Sequence, residues 1–465
     1  MVARDFDVQG KRVTVVGAAR SGIAAAELLA RRRAQVTLTE MRSEAPDAEP
    51  LRSLGVQLEL GGHRAETLTH ADLIVLSPGV APDQPAIHEA RERGVPIIGE
   101  LELASRYLNG RVVAITGTKG KSTTTALTGQ MLEAAGYKVT VGGNIGAPLS
   151  AQVSGSTPDT VHVVEASSFQ LEQIETFHPW IAVMLNFSPD HLDRHPSVDA
   201  YGAAKARIFE NQTADDWAVV NADDPAVLEL ARNGRARQRQ FGRRAPIEHG
   251  TAIEDGWIVD RRPGGIGRSG AAGGGGEVVR LVPLDAIHLL GPHLVSDVMA
   301  AATIGAIAGG APAALTAAVE SFRGLEHAME LVAEIDGVRF VNDSKATNVE
   351  AALRSIESFE SGLVPIIGGR FKGGDLRLLR EPLAARAKAV VAIGEARPLL
   401  ADALAGAVEV REATSLQNAI EQAFALAKPA GTVLLAPACS SFDMFRDYAD
   451  RGRQFKEGVL TLSER

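Results

Sequence analysis

The stretch AITGTKGKSTTTALTG, residues 114–129, decides the fold. The apolar run VVAIT leads into Gly117 and Gly120, and Leu127, Met131 and Leu132 then recur at helical spacing until Gly136. This is the pattern of a buried strand, a tight turn and a helix. The common phosphate-loop template would need glycine at position 115, where the chain has Ile115. That changes the path of the loop more than its chemistry. Backbone N–H groups of Gly117, Thr118, Lys119 and Gly120 and the helix dipole converge on one point, Lys121 adds a mobile positive charge, and Ser122 or Thr123 offers a hydroxyl to Mg²⁺. The stretch reads as a nucleotide-phosphate site.

The same alternation of apolar run, turn and helical pattern recurs at VTVVG (13–17), DLIVLSPG (72–79), HVVEAS (162–167), AVMLNF (182–187) and LVPIIGG (363–369). It marks an α/β chain with mainly parallel sheets, whose ligands gather at the C-terminal ends of the strands. At 465 residues the chain exceeds one core, and the usual domain size implies about three domains. Boundaries fall after residue 99 and near residue 324, giving 1–99, 100–324 and 325–465. The first and last read as Rossmann-like and the middle as a phosphate-loop ATPase domain.

Composition narrows the function. The net charge of -9 argues against a broad nucleic-acid surface, so any phosphate site must be built locally. Cys439 is the single cysteine, which excludes an intrachain disulfide or a cysteine zinc cluster and fits a reducing cytoplasm. The N-terminus carries charges where a secretion signal needs an apolar run. Residues 301–319 carry no charge, yet Gly309, Gly310 and Pro312 break the run, so it reads as two packed helices rather than a membrane span. The glycine-rich segment 261–279 reads as a flexible hairpin loop without chemistry.

Elsewhere the residues leave alternatives open. RVTVVGAARSGIAAAELLARRRAQVTLTE is a strand, turn, helix and strand ending on Glu40, but Ala19 stands where a dinucleotide fingerprint needs its second glycine. NAD binding is therefore disfavoured, while a diphosphate held by Arg20, Ser21 and the Gly22 amide is compatible with the turn. Glu165 ends a buried strand, where a carboxylate is costly unless it meets a cation; Mg²⁺ shared with Ser122 is the natural partner. His191 lies in a polar loop after another strand. Lys205, in YGAAKARIFEN, reads from its surroundings as an ordinary exposed lysine. VNDSKATNVEAA, GGRFKGGD and APACSSFDMFRDYADRG place Asp343, Lys345, Thr347, Lys372, Ser441 and Tyr448 after further strands, a set suited to a small anion.

GTKGKSTTT, GGNIGAPL (142–149), VVEASSFQLE, SPDHLDR, DSKATN and APACSSFDMF together resemble the Mur ligases, over nearly the whole chain outside the glycine-rich insert. The resemblance implies an ATP-dependent ligase of peptidoglycan synthesis that adds D-glutamate to UDP-N-acetylmuramoyl-L-alanine through an acyl phosphate. It implies that Ser21, Glu40, Arg42, Ser77, Pro78 and Gly79 meet the uridine diphosphate, with Asn144, Ser167, Gln170 and His191 toward the muramoyl-alanine. Gly117, Thr118, Lys119, Gly120, Lys121, Ser122, Thr123 and Asp343 would serve ATP. Ser122 and Glu165 would hold one Mg²⁺, and His191 and a carbamylated Lys205 a second, which reverses the bland reading of that lysine. Lys121, His191 and Lys205 form the implied catalytic set. Lys345, Thr347, Lys372, Ser441, Phe442 and Tyr448 fall on positions that contact D-glutamate. A monomer whose C-terminal domain closes over the site is also implied.

Two stretches depart from the family pattern. GPHLVSD has Leu294 and Asp297 where asparagines are usual, and Ala328 follows His327 where arginine is common. Nucleotide contacts there are weakened or supplied by another group such as Arg370. The competing readings are a sister Mur or folylpolyglutamate-type ligase, an NAD-dependent dehydrogenase, which leaves Lys121 idle, and a non-catalytic ATP-binding protein.

Overall fold

The computed structural model describes residues 6–191, 194–262, 277–288 and 292–463. The glycine-rich residues 263–276 and Leu192 and Asp193 of the SPDHLDR motif lie outside the described residues, as does the side chain of His293. The chain divides into two compact units, Met1–Ile287 with Val295–Glu320, and His288–Leu294 with Ser321–Arg465.

The first unit contains two sheets. One comprises β1 (Arg12–Val16), β2 (Gln35–Glu40), β3 (Gln57–Leu60), β4 (Leu73–Leu76) and β5 (Ile97–Gly99), all parallel in the order β3-β2-β1-β4-β5. The order reverses at β1, so the turns after β1 and β4 face one crevice, where such sheets bind ligands. Helix Arg20–Arg31 packs so tightly behind β1 that a Cβ at Gly22 would lie 1.8 Å from the Gly17 carbonyl oxygen. Only glycine fits there.

The other sheet runs β14-β13-β12-β11-β10-β9-β6-β8-β7. Its strands are β6 (Arg111–Thr116), β7 (Lys138–Gly143), β8 (Thr160–Glu165), β9 (Ile181–Met184), β10 (Trp217–Asn221), β11 (Arg237–Phe241), β12 (Gly250–Glu254), β13 (Trp257–Arg261) and β14 (Val278–Pro283). Strands β7 to β12 are parallel, and β12-β13-β14 form an antiparallel meander, so WIVD and VVRLV pair as the hairpin reading expects. Central β6 buries Val113, Ala114 and Ile115 completely. Each large aliphatic side chain so buried contributes about 1.5–3 kcal/mol, enough to outweigh ~1–2 kcal/mol of backbone ordering per residue. The uncharged stretch 301–319 forms parts of two helices, Pro292–Ile307 and Pro312–Ser321. Among the described residues no helix is long and apolar enough to cross a membrane.

The second unit is a six-stranded sheet, β15-β16-β20-β17-β18-β19, built from β15 (Glu330–Ile335), β16 (Val338–Asn342), β17 (Leu363–Gly368), β18 (Val390–Ile393), β19 (Val410–Glu412) and β20 (Gly431–Leu435). Only β15 runs antiparallel. The α/β class with mainly parallel sheets holds throughout.

Candidate active site

The turn between β6 and helix Lys121–Ala134 is the strand-to-helix junction expected of a phosphate loop. Two of its amides are already engaged: Thr118 N and Lys119 N donate to Asn186 Oδ1 at 3.1 and 2.8 Å, and Asn186 Nδ2 donates to the Lys119 carbonyl at 3.0 Å. Asn186 therefore braces the loop from the end of β9. Lys121 Nζ folds back onto the Gly117 and Thr118 carbonyls, both at 3.0 Å, and Ser122 and Thr123 occupy the first helical turn, half-buried.

Lys205 corrects the reading of an exposed lysine. It lies on helix Val198–Ala206 with only 1% of its surface accessible, donates to the Gly117 carbonyl at 2.8 Å and stands 4.7 Å over the Tyr201 ring. Burial, and then the charge of Lys121, lower its pKa to about 7, with Asp190 and Glu165 partly opposing. A neutral amine is thus accessible near physiological pH. The local sequence, rich in alanine and glycine, carries no amphipathic stripe that would have signalled burial.

Glu165 ends β8 level with Ile115 of β6 and Gly143 of β7. It is 2% exposed; Oε1 accepts from Asn144 Nδ2 at 2.7 Å, and Oε2 is buried without a partner. A buried carboxylate oxygen left unbonded beside a phosphate loop fits a hard cation such as Mg²⁺. Among the described residues no cluster of three His, Cys, Asp or Glu side chains is preformed. His191 has a left-handed backbone, φ 54, and its half-exposed ring lies 5.2 Å from Phe169 and 6.2 Å from Tyr201. Tyr201 thereby links three of the expected residues, since its hydroxyl also meets Thr118 Oγ1 at 3.3 Å.

Asp297 reaches the same loop from helix Pro292–Ile307. Its Oδ1 occupies the place where a Gly120 Cβ would be, 2.2 Å from that position, so glycine is obligatory there. Burial pushes its carboxyl well above the usual range, the Thr124 hydroxyl partly offsetting, and Oδ2 has no partner.

At the first sheet, Glu40 closes the βα turn after β1. Oε2 accepts from Ala18 N at 2.8 Å and Oε1 from Arg42 N at 3.1 Å. Burial works against its charge, but the bonds from Arg42 and Ala18 hold its pKa at about 2. Half-buried Ser21 lies in the first turn of the adjoining helix, while Arg20 donates to Gly146 O at 3.2 Å. Ser77 and Pro78 line a cleft with Phe169, Gln170, Glu100 and Arg194, and Gly79 follows in the same turn. Ser167 and Gln170 bond each other in a capping box at helix Ser168–Leu171, so their polar groups are partly spent on local structure.

In the second unit the adjacency of β16, β20 and β17 brings three separate motifs together. Ala438 N donates to Ala346 O at 3.0 Å, and Arg370 N to Ser440 O at 2.9 Å. DSKATN, APACSS and GGRFK thus form one strand-end edge. Lys345 and Lys372 are exposed on it, Thr347 is half-buried, Ser441 is buried, and Phe442 and Tyr448 are exposed. Asp343 is buried; burial raises its pKa, opposed by bonds from the Ser355 hydroxyl and Met329 N. Arg370 pairs with Glu395 at 3.0 Å. Asn186, Tyr201, Arg194 and Arg451 were not singled out in the sequence, because nothing in local spacing marks a side chain that braces a loop from elsewhere in the fold.

A strand, glycine turn and helix at the centre of a parallel sheet, backed by a buried lysine, define an α/β nucleotide-binding protein. Three family models match the chain: Mur ligase MurD-like N-terminal domain over residues 11–99, Mur ligase middle domain over 115–305, and Mur ligase glutamate ligase domain over 328–439. A UDP-N-acetylmuramoylalanine–D-glutamate ligase of Acidobacterium capsulatum is 47% identical over 98% of this chain and 97% of its own length. One of Koribacter versatilis is 43% identical over 99% of both. Among solved structures, the UDP-N-acetylmuramate–alanine ligase of Thermotoga maritima shares the fold at TM-score 0.57 and 20% identity, covering 97% of this chain and 99% of its own. The chain belongs to the Mur ligase family.

Proposed function

We propose that this chain is an ATP-dependent amide ligase that joins D-glutamate to UDP-N-acetylmuramoyl-L-alanine in cytoplasmic peptidoglycan precursor synthesis, acting as a monomer. The observation that carries the reading is Glu165, buried at the strand end beside the phosphate loop with one oxygen unbonded, in a chain alike from end to end to ligases of that name. Residues 1–99 take the uridine diphosphate through Ser21, Glu40, Arg42 and the Ser77–Gly79 turn, 100–324 take ATP, and 325–465 take the amino acid.

Glu165 and Ser122 would hold one Mg²⁺, and His191 with a carbamylated Lys205 a second; bound there, the ions would supply charge neutralisation at the phosphates. Lys121 turns from the loop carbonyls to the γ-phosphate and absorbs charge as the L-alanine carboxylate oxygen attacks phosphorus and ADP leaves. The D-glutamate amine then attacks the acyl-phosphate carbon, phosphate departs, and the amine loses a proton. Lys205 suits carbamylation because CO₂ combines with a neutral amine, and its pKa of about 7 supplies one. Lys345, Thr347, Lys372, Ser441, Phe442 and Tyr448 hold the amino acid, and Asp343 serves the nucleotide side.

The test is phosphate release from ATP with UDP-N-acetylmuramoyl-L-alanine, comparing D-glutamate, L-glutamate and meso-diaminopimelate. Stimulation by D-glutamate alone is expected. Stimulation by diaminopimelate instead would assign a sister ligase, and no release with any amino acid would leave an ATP-binding protein without ligase activity.

A further inference from the structure

The second unit contains a buried charge that the reaction described above does not use. Arg451, on helix Tyr448–Ser463, is 0% exposed and among the largest fully buried side chains. Its Nε donates to Ser344 Oγ at 2.9 Å, one terminal nitrogen to Ser344 O at 2.9 Å, and the other to Cys439 O at 3.3 Å. All three acceptors are neutral, and among the described residues no carboxylate forms an ion pair with it. Asp443 acts on it only through its field; a buried guanidinium without a directly bonded anion is costly, and packing alone would be served better by an apolar side chain of the same size.

Its partners explain its retention. Ser344 lies inside DSKATN and Cys439 inside APACSS, two of the three segments carrying the proposed amino-acid contacts. Ser344 Oγ in turn donates to Tyr448 O at 2.7 Å, tying the start of the same helix to the cluster. The guanidinium is a planar fork with several donors, so one side chain bonds two loops at once, which an ammonium cannot do in the same geometry. Asp443 supports its charge electrostatically without lying within ion-pair distance, so the guanidinium is only partly neutralised in a low-dielectric setting and acts on whatever the two loops bind.

We propose that Arg451 is a positioning residue for the amino-acid pocket: it locks the Ser344 and Cys439 segments together, and its partly compensated charge favours an anionic amino acid over its neutral amide. This rests on the amino-acid site proposed above. The experiment compares the wild type with Arg451→Met and Arg451→Lys, using D-glutamate and D-glutamine as acceptors and amide hydrogen exchange as a second readout. Arg451→Met is expected to raise KM for D-glutamate tenfold or more while KM for ATP and the UDP substrate stays within twofold, and to narrow the preference for D-glutamate over D-glutamine. Arg451→Lys, keeping the charge without the fork, should preserve that preference but speed exchange at Lys345, Ala346, Ala438 and Ser440.

Unchanged exchange and an unchanged KM in both variants would overturn the proposal, as would an equal rise in all three KM values. Should Arg451→Met fail to fold, Arg451→Lys carries the test through exchange and KM. If the wild type itself shows no phosphate release dependent on D-glutamate, the reaction assignment fails, and hydrogen exchange still decides whether Arg451 holds the two segments.

Discussion

Two buried carboxyls lie near the phosphate loop, each with an oxygen that has no hydrogen-bond partner among the described residues, yet their surroundings differ. Glu165 comes from a strand end, accepts from Asn144 and shares its surroundings with the Lys205 charge. Asp297 comes from a helix, presses against Gly120, and has the neutral Thr124 hydroxyl as its electrostatic neighbour among the described residues. The first suits a cation; burial pushes the second toward its neutral form. Burial alone therefore does not identify a ligand site, and the polarity of the neighbours does.

The sharpest way to break this comparison is to neutralise each carboxyl. Glu165→Gln is expected to lower kcat about 10²–10³-fold, the scale seen when one charge-stabilising group is lost from a transition state, and to raise the Mg²⁺ concentration needed for half-activity. Steady-state phosphate release across an Mg²⁺ series measures both. A variant with the wild-type Mg²⁺ dependence would remove Glu165 from the cation site. Lys205→Ala should lose about 10²-fold in turnover and recover part of it with added short carboxylic acids; full turnover without them would reject a catalytic carbamate. In the wild type, bicarbonate activation should weaken as pH falls below about 7, because the amine then holds its proton.

Asp297→Asn belongs to stability. With its folded pKa raised, Asp297 contributes stability that is fully present below the unfolded carboxyl range of about pH 4 and is lost as pH rises from there through the folded value. Asparagine removes this dependence. The variant should gain stability relative to the wild type at pH 8 and little at pH 4, read from melting temperature against pH. An equal shift at both pH values would show that Asp297 is not held neutral. The smallest effect is expected from Arg42→Ala. Glu40 should lose part of what holds its pKa near 2, so the stability it contributes should fade at a higher pH on acidification. Because Arg42 is exposed, solvent screening should keep the change small.

Much of the first site was legible because it is local. A strand, two glycines, a lysine and a hydroxyl within ten residues define a phosphate loop whatever surrounds them, and a glutamate ending an apolar strand has few roles other than pairing with a cation. The resemblance to a family supplied roles for residues that physics alone left ordinary, Lys205 above all. The bracing groups were not legible. Asn186 and Tyr201 act on Thr118 from far along the chain, and no periodicity in their own segments records that contact.

The sequence by itself determined the alternation of strands and helices, the phosphate loop and the likeness to one ligase family, because these depend on spacing within short windows. Only the tertiary structure decided the state of the charges. Sheet order set β8 beside β6 and β16 beside β20, and thereby decided that Lys205 is buried beneath Gly117, that Asp297 is shut against Gly120, and that Arg451 joins two loops nearly a hundred residues apart. A side chain's ionisation follows from what surrounds it in space, and sequence distance does not carry that information.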